Sequence, residues 1–302
     1  MELQTVDQLV ERLRSNASPK RMAVAAAGET HTLEATLMAY REGLVIPKLF
    51  GDEADIRRIL QELGSDPDEF EIIDASDEKE AAQKAVRAVH DGEGDLLMKG
   101  MIQTGDLMRA VIDKEYGLLE EGGVISLVTI CEINYYKKLL LLTDSGIVRD
   151  PTLEQKKAII ENAVRVMRAY GVEKPKVAAV CAVETVNPKM PETVDAAALA
   201  EMSRNGQLKD CLVEGPLSMD IAMNELAAKY KGVESEVAGH ADILLWPNVL
   251  TGNIAIKAMG CVGGMKNAVA FAVGAKVPLV INSRGTSKDA KYLSILGAAA
   301  AS

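Results

Sequence analysis

The sequence predicts an α/β protein in which mostly parallel strands are flanked by helices. Short apolar runs of strand length alternate with longer amphipathic segments along most of the 302 residues, a pattern that favours parallel pairing. The composition, 48% hydrophobic and 26% charged, is ordinary for a globular protein. Several apolar runs end in polar, glycine-containing segments, and α/β sheets bind ligands at such strand ends. The length allows two domains.

The chain up to Lys114 alternates regularly. Thr5 and Gln8 form a capping-box pattern that opens a short helix ending near Ser15. A parallel sheet covered by helices is therefore expected in this part of the chain. The predicted strands are 22–27, 44–50, 71–75 and 95–99, and the predicted helices are 32–41, 53–63, 78–90 and 104–114.

A change of pattern follows at two strand candidates, Val124–Ile130 and Lys138–Thr143. No helix fits into their short join, so the two strands should pair antiparallel or mark a crossing between domains. Thr152 and Gln155 then form a second capping box, which opens a helix ended by Gly171. The remaining predicted strands are 176–183, 210–213, 243–246 and 277–281, and the remaining helices are 192–204, 219–230 and a last one after Ala290.

The charge distribution indicates a local site for an anion. The chain carries a net charge of −10, which argues against nucleic acid because its binding needs a broad basic surface. Residues 251–302, in contrast, contain six Lys or Arg and one acidic residue, a local balance of +5. This segment is interpreted as a contact for an anionic ligand, although a solvated helix face would have the same composition.

Membrane, secreted and zinc proteins are not favoured. No apolar run approaches the ~18 residues of a membrane span, and the N-terminus lacks the order of a signal peptide. Four cysteines far apart, mostly in or beside apolar runs, indicate free thiols in a reducing cytoplasm. Three histidines without ligand spacing do not predict a zinc site. These residues are Cys131, Cys181, Cys211 and Cys261, and His31, His90 and His240.

A first candidate site follows the strand that ends at Lys99. Gly100 permits a tight turn, and Thr104 can cap the next helix, which extends past Arg109. Free amides at a helix start, with a hydroxyl and cations beside them, suit a phosphate. The candidate phosphate-binding residues are therefore Lys99, Gly100, Thr104 and Arg109, although many ordinary structural turns show the same pattern.

A second candidate site follows the last predicted strand. Ser283 and Arg284 come directly after it, and Thr286 or Ser287 can cap the final helix. With the carboxylate of Asp289 they can supply a donor, an oxyanion stabiliser and a proton acceptor. No histidine is near in sequence, so Ser283 is a poor candidate for an activated nucleophile. A plain surface ion pair between Arg284 and Asp289 is the alternative.

Glycines break the segment before this site. Gly252 and Asn253 lie where a helix could start with its free amides towards a ligand. No G-x-G-x-x-G or G-x-x-x-x-G-K-[ST] sequence occurs here, which counts against a dinucleotide fold and a P-loop ATPase.

Together these stretches resemble the phosphate acetyl/butyryltransferase family. The resemblance covers nearly the whole chain and is most specific after Asp210. The chain length and the Lys-Gly-Met-Ile-Gln-Thr form resemble the butyryltransferase branch more than the acetyltransferase branch. The matching stretches are Lys-Gly-Met-Ile-Gln-Thr (99–104), Asp-Pro-Thr-Leu-Glu-Gln (150–155), Glu-Gly-Pro-Leu-Ser-Met-Asp (214–220), Ala-Asp-Ile-Leu-Leu-Trp-Pro-Asn (241–248), Gly-Asn-Ile-Ala-Ile-Lys (252–257) and Ser-Arg-Gly-Thr-Ser-Lys-Asp (283–289).

The resemblance implies two α/β domains with mostly parallel sheets, separated by a cleft, as in isocitrate and isopropylmalate dehydrogenases. The first domain would comprise residues 1–128 and 277–302. The second would comprise residues 129–276 and would form a homodimer.

The resemblance also implies a reaction, the reversible transfer of a short acyl group between coenzyme A and inorganic phosphate, without a cofactor. The CoA thiol would attack an acyl phosphate directly in a ternary complex. Ser283 would hold the thiol, and Arg284 would stabilise the charge that grows on the oxygens. The expected acyl group is butyryl or branched, with acetyl as the alternative. The expected CoA-binding residues are Gly252, Asn253, Lys257, Asn282 and Lys288.

The chain departs from the family at the proposed base. Acetyltransferase relatives place a carboxylate seven residues after the serine, where this chain has Ala290. Asp289 comes one residue earlier, about 100° away around a helix. Either Asp289 acts with shifted geometry, or phosphate or solvent takes the proton.

Two other functions compete with this interpretation of the whole chain. One is a metal- and nicotinamide-dependent dehydrogenase, and the other is a CoA-sensing domain without activity.

Overall fold

The structure is a computed structural model that describes residues 4–16, 18–283 and 285–302. The chain forms two compact units. The terminal unit comprises residues 10–123 and 269–302, and the central unit comprises the residues up to Leu9 together with residues 124–268.

Strands and helices alternate along most of the chain. The strands are β1 (Lys20–Ala25), β2 (Val45–Gly51), β3 (Glu71–Asp74), β4 (Leu96–Lys99), β5 (Ser126–Ile133), β6 (Leu140–Thr143), β7 (Lys176–Val180), β8 (Leu212–Leu217), β9 (Ile243–Leu245), β10 (Met265–Val273) and β11 (Leu279–Val280). The α-helices are α1 (Val6–Asn16), α2 (Thr30–Arg41), α3 (Glu53–Glu62), α4 (Glu78–His90), α5 (Thr104–Val111), α6 (Leu153–Ala169), α7 (Pro191–Arg204), α8 (Met219–Met223), α9 (Glu225–Lys231), α10 (Val249–Cys261) and α11 (Lys288–Ala301).

In the terminal unit, parallel strands run in the order β3-β2-β1-β4-β11. The chain winds from β1 to β3 on one side and then places β4 on the other side of β1. The connections therefore change direction between β1 and β4. All residues of β4 are buried, as in parallel sheets with helices on both faces. The carboxyl ends of these strands share one edge, where open α/β sheets bind their ligands.

In the central unit, the strand order is β5-β6-β9-β7-β8. β5 and β6 form the predicted antiparallel pair, with Thr129 opposite Leu142, and the other neighbours pair in parallel. α6 begins with the predicted capping box of Thr152 and Gln155. The predicted class, α/β with mostly parallel strands flanked by helices, is confirmed. Among the helices in the described ranges, none has the length and apolarity that crossing a bilayer requires.

β10 is a strand that the sequence did not predict. In its segment Val269, Phe271 and Val273 alternate with alanines instead of polar residues, so the apolar–polar alternation of a half-buried strand is absent. β10 starts in the central unit and ends in the terminal unit, which begins again at Val269. The units therefore divide after Gly123 and Ala268, whereas the expected boundaries followed residues 128 and 276. The residues up to Leu9 group with the central unit, where the Val6 amide donates to Glu132 Oε1 at 2.7 Å.

Candidate active site

Both sequence-derived sites of the terminal unit lie at one edge of its sheet. The turn after β4 carries Lys99 and Gly100, and the loop after β11 carries Ser283. β4 and β11 are adjacent and parallel, with Leu97 opposite Leu279 and Met98 opposite Val280. Because the carboxyl ends of adjacent parallel strands lie at the same edge, the two candidate sites are neighbours.

Gly100 packs directly against the end of β1. Its amide donates to Ala25 O at 2.8 Å, and the Met101 amide donates to Ala26 O at 2.8 Å. A Cβ on Gly100 would lie 2.1 Å from Ala26 O and 2.9 Å from Ala26 C. Both are backbone atoms that cannot give way easily, so only glycine fits at this close approach.

Lys99 braces the same turn from within. The residue is 4% exposed, and its Nζ donates to Gly100 O at 3.1 Å and to Ile102 O at 2.9 Å. Two of its three ammonium protons therefore hold backbone carbonyls of the turn. The side chain shapes the start of α5 and places a positive charge beneath it.

The start of α5 differs in detail from the prediction. Thr104 does not cap the helix: the N-cap is Gln103, which makes no side-chain cap bond, and Thr104 is the first helical residue. The first amides of the helix therefore have no partner from the side chain of the cap residue. Arg109 forms an ion pair with Asp106 and is 75% exposed, so much of its charge is already compensated.

The loop after β11 is organised by hydroxyl groups. Ser283 Oγ lies 3.0 Å from Thr286 Oγ1, and the Thr286 amide donates to Ser283 O at 3.1 Å. Ser287 caps α11, because its Oγ accepts from the Ala290 amide at 3.3 Å. The prediction that one of these two residues caps the last helix is confirmed for Ser287. Arg284 lies outside the described residues.

Asn282 has an orientation fixed from inside the unit. Its Nδ2 donates to Ser294 Oγ at 3.1 Å, and Ser294 Oγ donates to Ala290 O at 2.8 Å. The single proton of the Ser294 hydroxyl is used by that carbonyl, so Asn282 must present its amino group to Ser294. Asn282 Oδ1 is buried and has no hydrogen-bond partner among the residues that the structure describes. Such an acceptor costs about 1–3 kcal/mol of stability.

Asp289 lies in the first turn of α11 and is exposed. Ala290 and Ser294 are one turn apart on the helix face that contacts Asn282. Asp289 precedes Ser294 by five positions, which corresponds to about 140° around the helix. Its carboxylate therefore leaves the helix on a different side from the face that contacts Asn282.

A buried ion pair beside this loop was missed by sequence reasoning. Lys291 is 3% exposed, and its Nζ donates to Glu29 Oε2 at 2.8 Å and to Thr32 Oγ1 at 3.1 Å. Glu29 is the N-cap of α2 and accepts from the amides of His31 and Thr32. Partial burial alone would raise the pKa of Glu29, but hydrogen bonds from Lys291 and Thr32 and the charge of Lys291 lower it to about 2.

Glu29→Gln is expected to lower the free energy of unfolding by about 3 kcal/mol near neutral pH. Because the folded state lowers the pKa of Glu29, this stabilisation is complete above about pH 5 and is lost as the pH falls towards about 2. Urea unfolding of parent and variant at about pH 7 and about pH 3 measures it. The difference between the two proteins should shrink at the lower pH. An equal difference at both pH values would exclude a contribution from the Glu29 charge.

The predicted CoA residues of the central unit have mixed surroundings. Gly252 is buried on α10, where an added Cβ would lie 2.6 Å from Asp144 O and 2.7 Å from Trp246 Cδ1. Asn253 Nδ2 donates to Ser145 O at 3.2 Å. These two residues fasten α10 to the loop after β6, whereas Lys257 is exposed.

Three of the four cysteines offer little nucleophilic chemistry. Cys131, Cys181 and Cys211 are buried and Cys261 is exposed. Burial raises the pKa of Cys131 to about 12 and those of Cys181 and Cys211 to about 11. Since the thiolate is the nucleophile, these three thiols are poor candidates for a covalent acyl-enzyme.

Comparison with known structures first defines the class of protein. A crystal structure of 4-hydroxythreonine-4-phosphate dehydrogenase from Klebsiella pneumoniae has a TM-score of 0.56 at 14% identity, covering 94% of this chain and 100% of that chain. The likeness shows the fold alone. The chain thus has a dehydrogenase-like α/β fold, as predicted, and the Gly100 turn and the Ser283 loop follow strand ends of that fold.

The family follows from closer comparisons. A family model described as phosphate acetyl/butaryl transferase matches residues 78–299. A phosphate acetyltransferase from Thermotoga maritima is 45% identical over 96% of this chain and 97% of that protein. A phosphate butyryltransferase from Clostridium acetobutylicum is 42% identical over 98% of both proteins. The chain belongs to the phosphate acetyl/butyryltransferase family, and it is a transferase enzyme.

A solved structure supports the same assignment. A branched-chain phosphotransacylase from Enterococcus faecalis is 30% identical and has a TM-score of 0.80, covering 93% of this chain and 98% of that chain. The predicted family is therefore confirmed by sequence and by structure.

Proposed function

We propose that the protein transfers a short acyl group reversibly between coenzyme A and inorganic phosphate, with butyryl-CoA and phosphate giving butyryl phosphate and CoA. The observation that carries the proposal is the position of the Ser283 loop and the Gly100 turn at the ends of adjacent parallel strands. One site at this edge would receive a thiol and a phosphate side by side. The names of the relatives support the same reaction.

The chemical step is a direct displacement. The sulfur of CoA attacks the carbonyl carbon of the acyl phosphate, the S–C bond forms, and the bond from that carbon to the phosphate oxygen breaks. Ser283 holds the thiol, and Arg284 stabilises the charge that develops on the carbonyl and phosphate oxygens. The high pKa values of the buried cysteines support a reaction without an acyl-enzyme.

The phosphate would bind at the start of α5. Gly100 and Thr104 bring a tight turn and a hydroxyl to the first amides of that helix, and Lys99 adds a positive charge from below. A helix start with a nearby cation favours an anion. Arg109 remains a proposed second cation for the phosphate, released from Asp106 when the anion binds.

CoA would meet basic and polar residues near the Ser283 loop. Lys288 begins α11 and its side chain is 48% exposed, and the Asn282 acceptor has no partner within the described part of the chain. Lys257 of α10 is a further proposed contact for a CoA phosphate. Gly252 and Asn253 would then support CoA binding by holding α10 in place.

The thiol proton has two proposed acceptors. Asp289 is exposed at the start of α11, but it leaves the helix away from the face that contacts Asn282. This direction favours the second option, in which the departing phosphate takes the proton. In either case the proton lost by the thiol has an acceptor, which is a carboxylate or phosphate.

The acyl group is proposed to be butyryl or branched, with acetyl as the alternative. The relatives include both an acetyltransferase and a butyryltransferase at similar identity, and a branched-chain enzyme has a closely similar structure. One methylene changes binding by only about 1–3 kcal/mol, so a pocket can accept several chain lengths. The identities alone do not decide between them.

A thiol-release assay tests the proposed function. Butyryl-CoA with phosphate should release free CoA, and omission of phosphate should abolish the release. Isobutyryl-CoA and acetyl-CoA under the same conditions compare the acyl groups. A release that does not depend on phosphate would mean a thioesterase and would overturn the proposal.

We also propose a cytoplasmic homodimer formed through the central unit. An apolar surface supports it: Leu250, Ile254 and Val262, on or next to α10, are 68%, 60% and 88% exposed. The fully exposed Tyr135 lies in a turn next to this surface, because the neighbouring Asn134 amide donates to Gly264 O. We call these four exposed residues the α10 patch. Exposed apolar patches mark protein interfaces.

Ile254→Glu is expected to convert the dimer to a monomer, because a charge in the α10 patch would have to be desolvated on association. Light scattering after size-exclusion chromatography measures the mass. Leu226→Glu is the matched control, since Leu226 is 58% exposed on α9 and should leave the mass unchanged. A parent protein that already runs as a monomer would contradict the proposal.

A further inference from the structure

A cluster of three charged or titratable side chains joins the first turns of α2 and α11. Glu34 Oε2 lies 3.0 Å from His31 Nδ1, and Glu34 Oε1 lies 3.4 Å from Lys288 Nζ. The side chains of His31 and Lys288 are 58% and 48% exposed. We call these three residues the His31 cluster. It lies where β1 ends, on the strand next to β4.

Glu34 fixes the orientation of the imidazole. Nδ1 faces the carboxylate, so the opposite nitrogen, Nε2, is directed away from Glu34. In the neutral ring that keeps its proton on Nδ1, Nε2 is an acceptor and repels a phosphate oxygen. In the protonated ring Nε2 becomes a donor. One proton therefore changes Nε2 from a group that opposes an anion to one that binds it.

When His31 is neutral, the charges around it compensate one another. Lys288 faces Glu34 across the cluster, and Lys291 of α11 is paired with Glu29 at 2.8 Å. The hydrogen bond from His31, with the charge of Lys288, lowers the pKa of Glu34, so Glu34 stays a carboxylate at neutral pH. Protonation of His31 then gives the cluster a net charge of +1.

Further charges approach from neighbouring elements. Asp55 of α3 lies against Gly28 in the same loop but is paired with Arg58 at 3.1 Å. Asp289 leaves α11 one residue after Lys288, and it is exposed to solvent. Neither side chain is a partner of the imidazole, which leaves Glu34 as its carboxylate contact in the described part of the chain.

We propose that His31 and Lys288 form a pH-dependent phosphate-binding pair, in which protonation of His31 tightens the binding of a phosphate group of the substrates. This inference rests on the proposed function, which places the phosphate groups of the substrates at the edge of the sheet where the His31 cluster lies. The phosphate group belongs either to CoA or to inorganic phosphate. Both present the same oxygens to a cationic pair.

Calorimetric titrations at low salt test the proposal without turnover. The parent, His31→Gln and His240→Gln are titrated with CoA, 3′-dephospho-CoA and inorganic phosphate at about pH 6 and about pH 8.5. His240 is the matched control, because it also pairs with a glutamate, Glu225, and is half exposed. Phosphate groups of the ligands change protonation state in this pH range, so the parent is compared with His31→Gln at each pH.

The parent is expected to bind its ligand about threefold to tenfold more tightly than His31→Gln at the lower pH, and about equally at the higher pH. His240→Gln should match the parent at both. If the advantage is lost with 3′-dephospho-CoA, the pair binds the 3′-phosphate of CoA. If the advantage of the parent persists with 3′-dephospho-CoA, the pair binds the diphosphate of CoA. If the parent also binds inorganic phosphate more tightly than His31→Gln does, the pair binds that substrate.

Two further results separate the possibilities. Glu34→Gln should tighten binding at the higher pH, because the carboxylate no longer compensates Lys288. CoA that binds with the same pH dependence in parent and His31→Gln would overturn the pair and leave the proposed function intact. Failure of every variant to bind CoA or phosphate would instead contradict the proposed function.

Discussion

Arg284→Ala is expected to lower kcat by about 100-fold or more. In the proposed reaction, Arg284 stabilises the charge that grows on the carbonyl and phosphate oxygens of the transition state, and removal of one such donor has an effect of this size. The effect should fall on kcat more than on KM, because the charge is largest in the transition state. The thiol-release assay with butyryl-CoA and phosphate measures both constants.

A second arginine serves as the control for the loss of charge. Arg204 is 61% exposed at the end of α7 and pairs with Glu201 of the same helix. Arg204→Ala should leave kcat within about twofold of the parent, because a surface ion pair contributes little. An Arg284→Ala enzyme with unchanged kcat would remove Arg284 from the mechanism.

Gly100→Ala is expected to have the second large effect, on stability and on activity together. The added Cβ would lie 2.1 Å from Ala26 O, so the turn after β4 must move away from β1. We expect a loss of at least about 3 kcal/mol of unfolding free energy. A shift of about 1 Å in groups that position a substrate can lower turnover by about 100-fold. Urea unfolding and the thiol-release assay measure the two effects.

Gly105→Ala is the matched control in the first turn of α5. Apart from its chain neighbours and its own helix backbone, no described atom lies within 4 Å of a Cβ built on Gly105, and alanine is the better helix residue. This variant should stay within about 1 kcal/mol of the parent in unfolding free energy. If Gly100→Ala were as stable as Gly105→Ala, the close approach of the turn to β1 would not be a constraint.

Much of the fold could be predicted because local patterns agree with it. The alternation of strands and helices, the antiparallel pair β5–β6 and the capping box of α6 all depend on neighbouring residues. β10 was missed because its strand-favouring residues, Val269, Phe271 and Val273, alternate with alanines and not with polar residues, so the usual strand pattern is absent. Its hydrogen bonds to a strand far away in sequence make it a strand: it pairs antiparallel with β11, with Ala272 opposite Leu279.

Only those parts of the candidate site that directly follow a strand could be predicted from the sequence. The pattern of polar residues after β4 and β11 located both loops. The capping role assigned to Thr104 was wrong, since the helix starts one residue earlier than a threonine cap requires. The ion pair of Glu29 and Lys291 was missed because the two residues are far apart in sequence, and no local pattern predicts such a contact.

The pairing of β11 with β4 also affects how the protein is made. A ribosome completes β4 at Lys99, but its parallel neighbour appears only with Leu279 and Val280. Until then the newly made β4 exposes an open edge, which invites pairing with other chains. The segment that covers this edge leads directly into Ser283. A chain released before Leu279 would therefore keep this edge open and would also lack Ser283 and Arg284, the residues proposed to act on the thiol and the substrate oxygens.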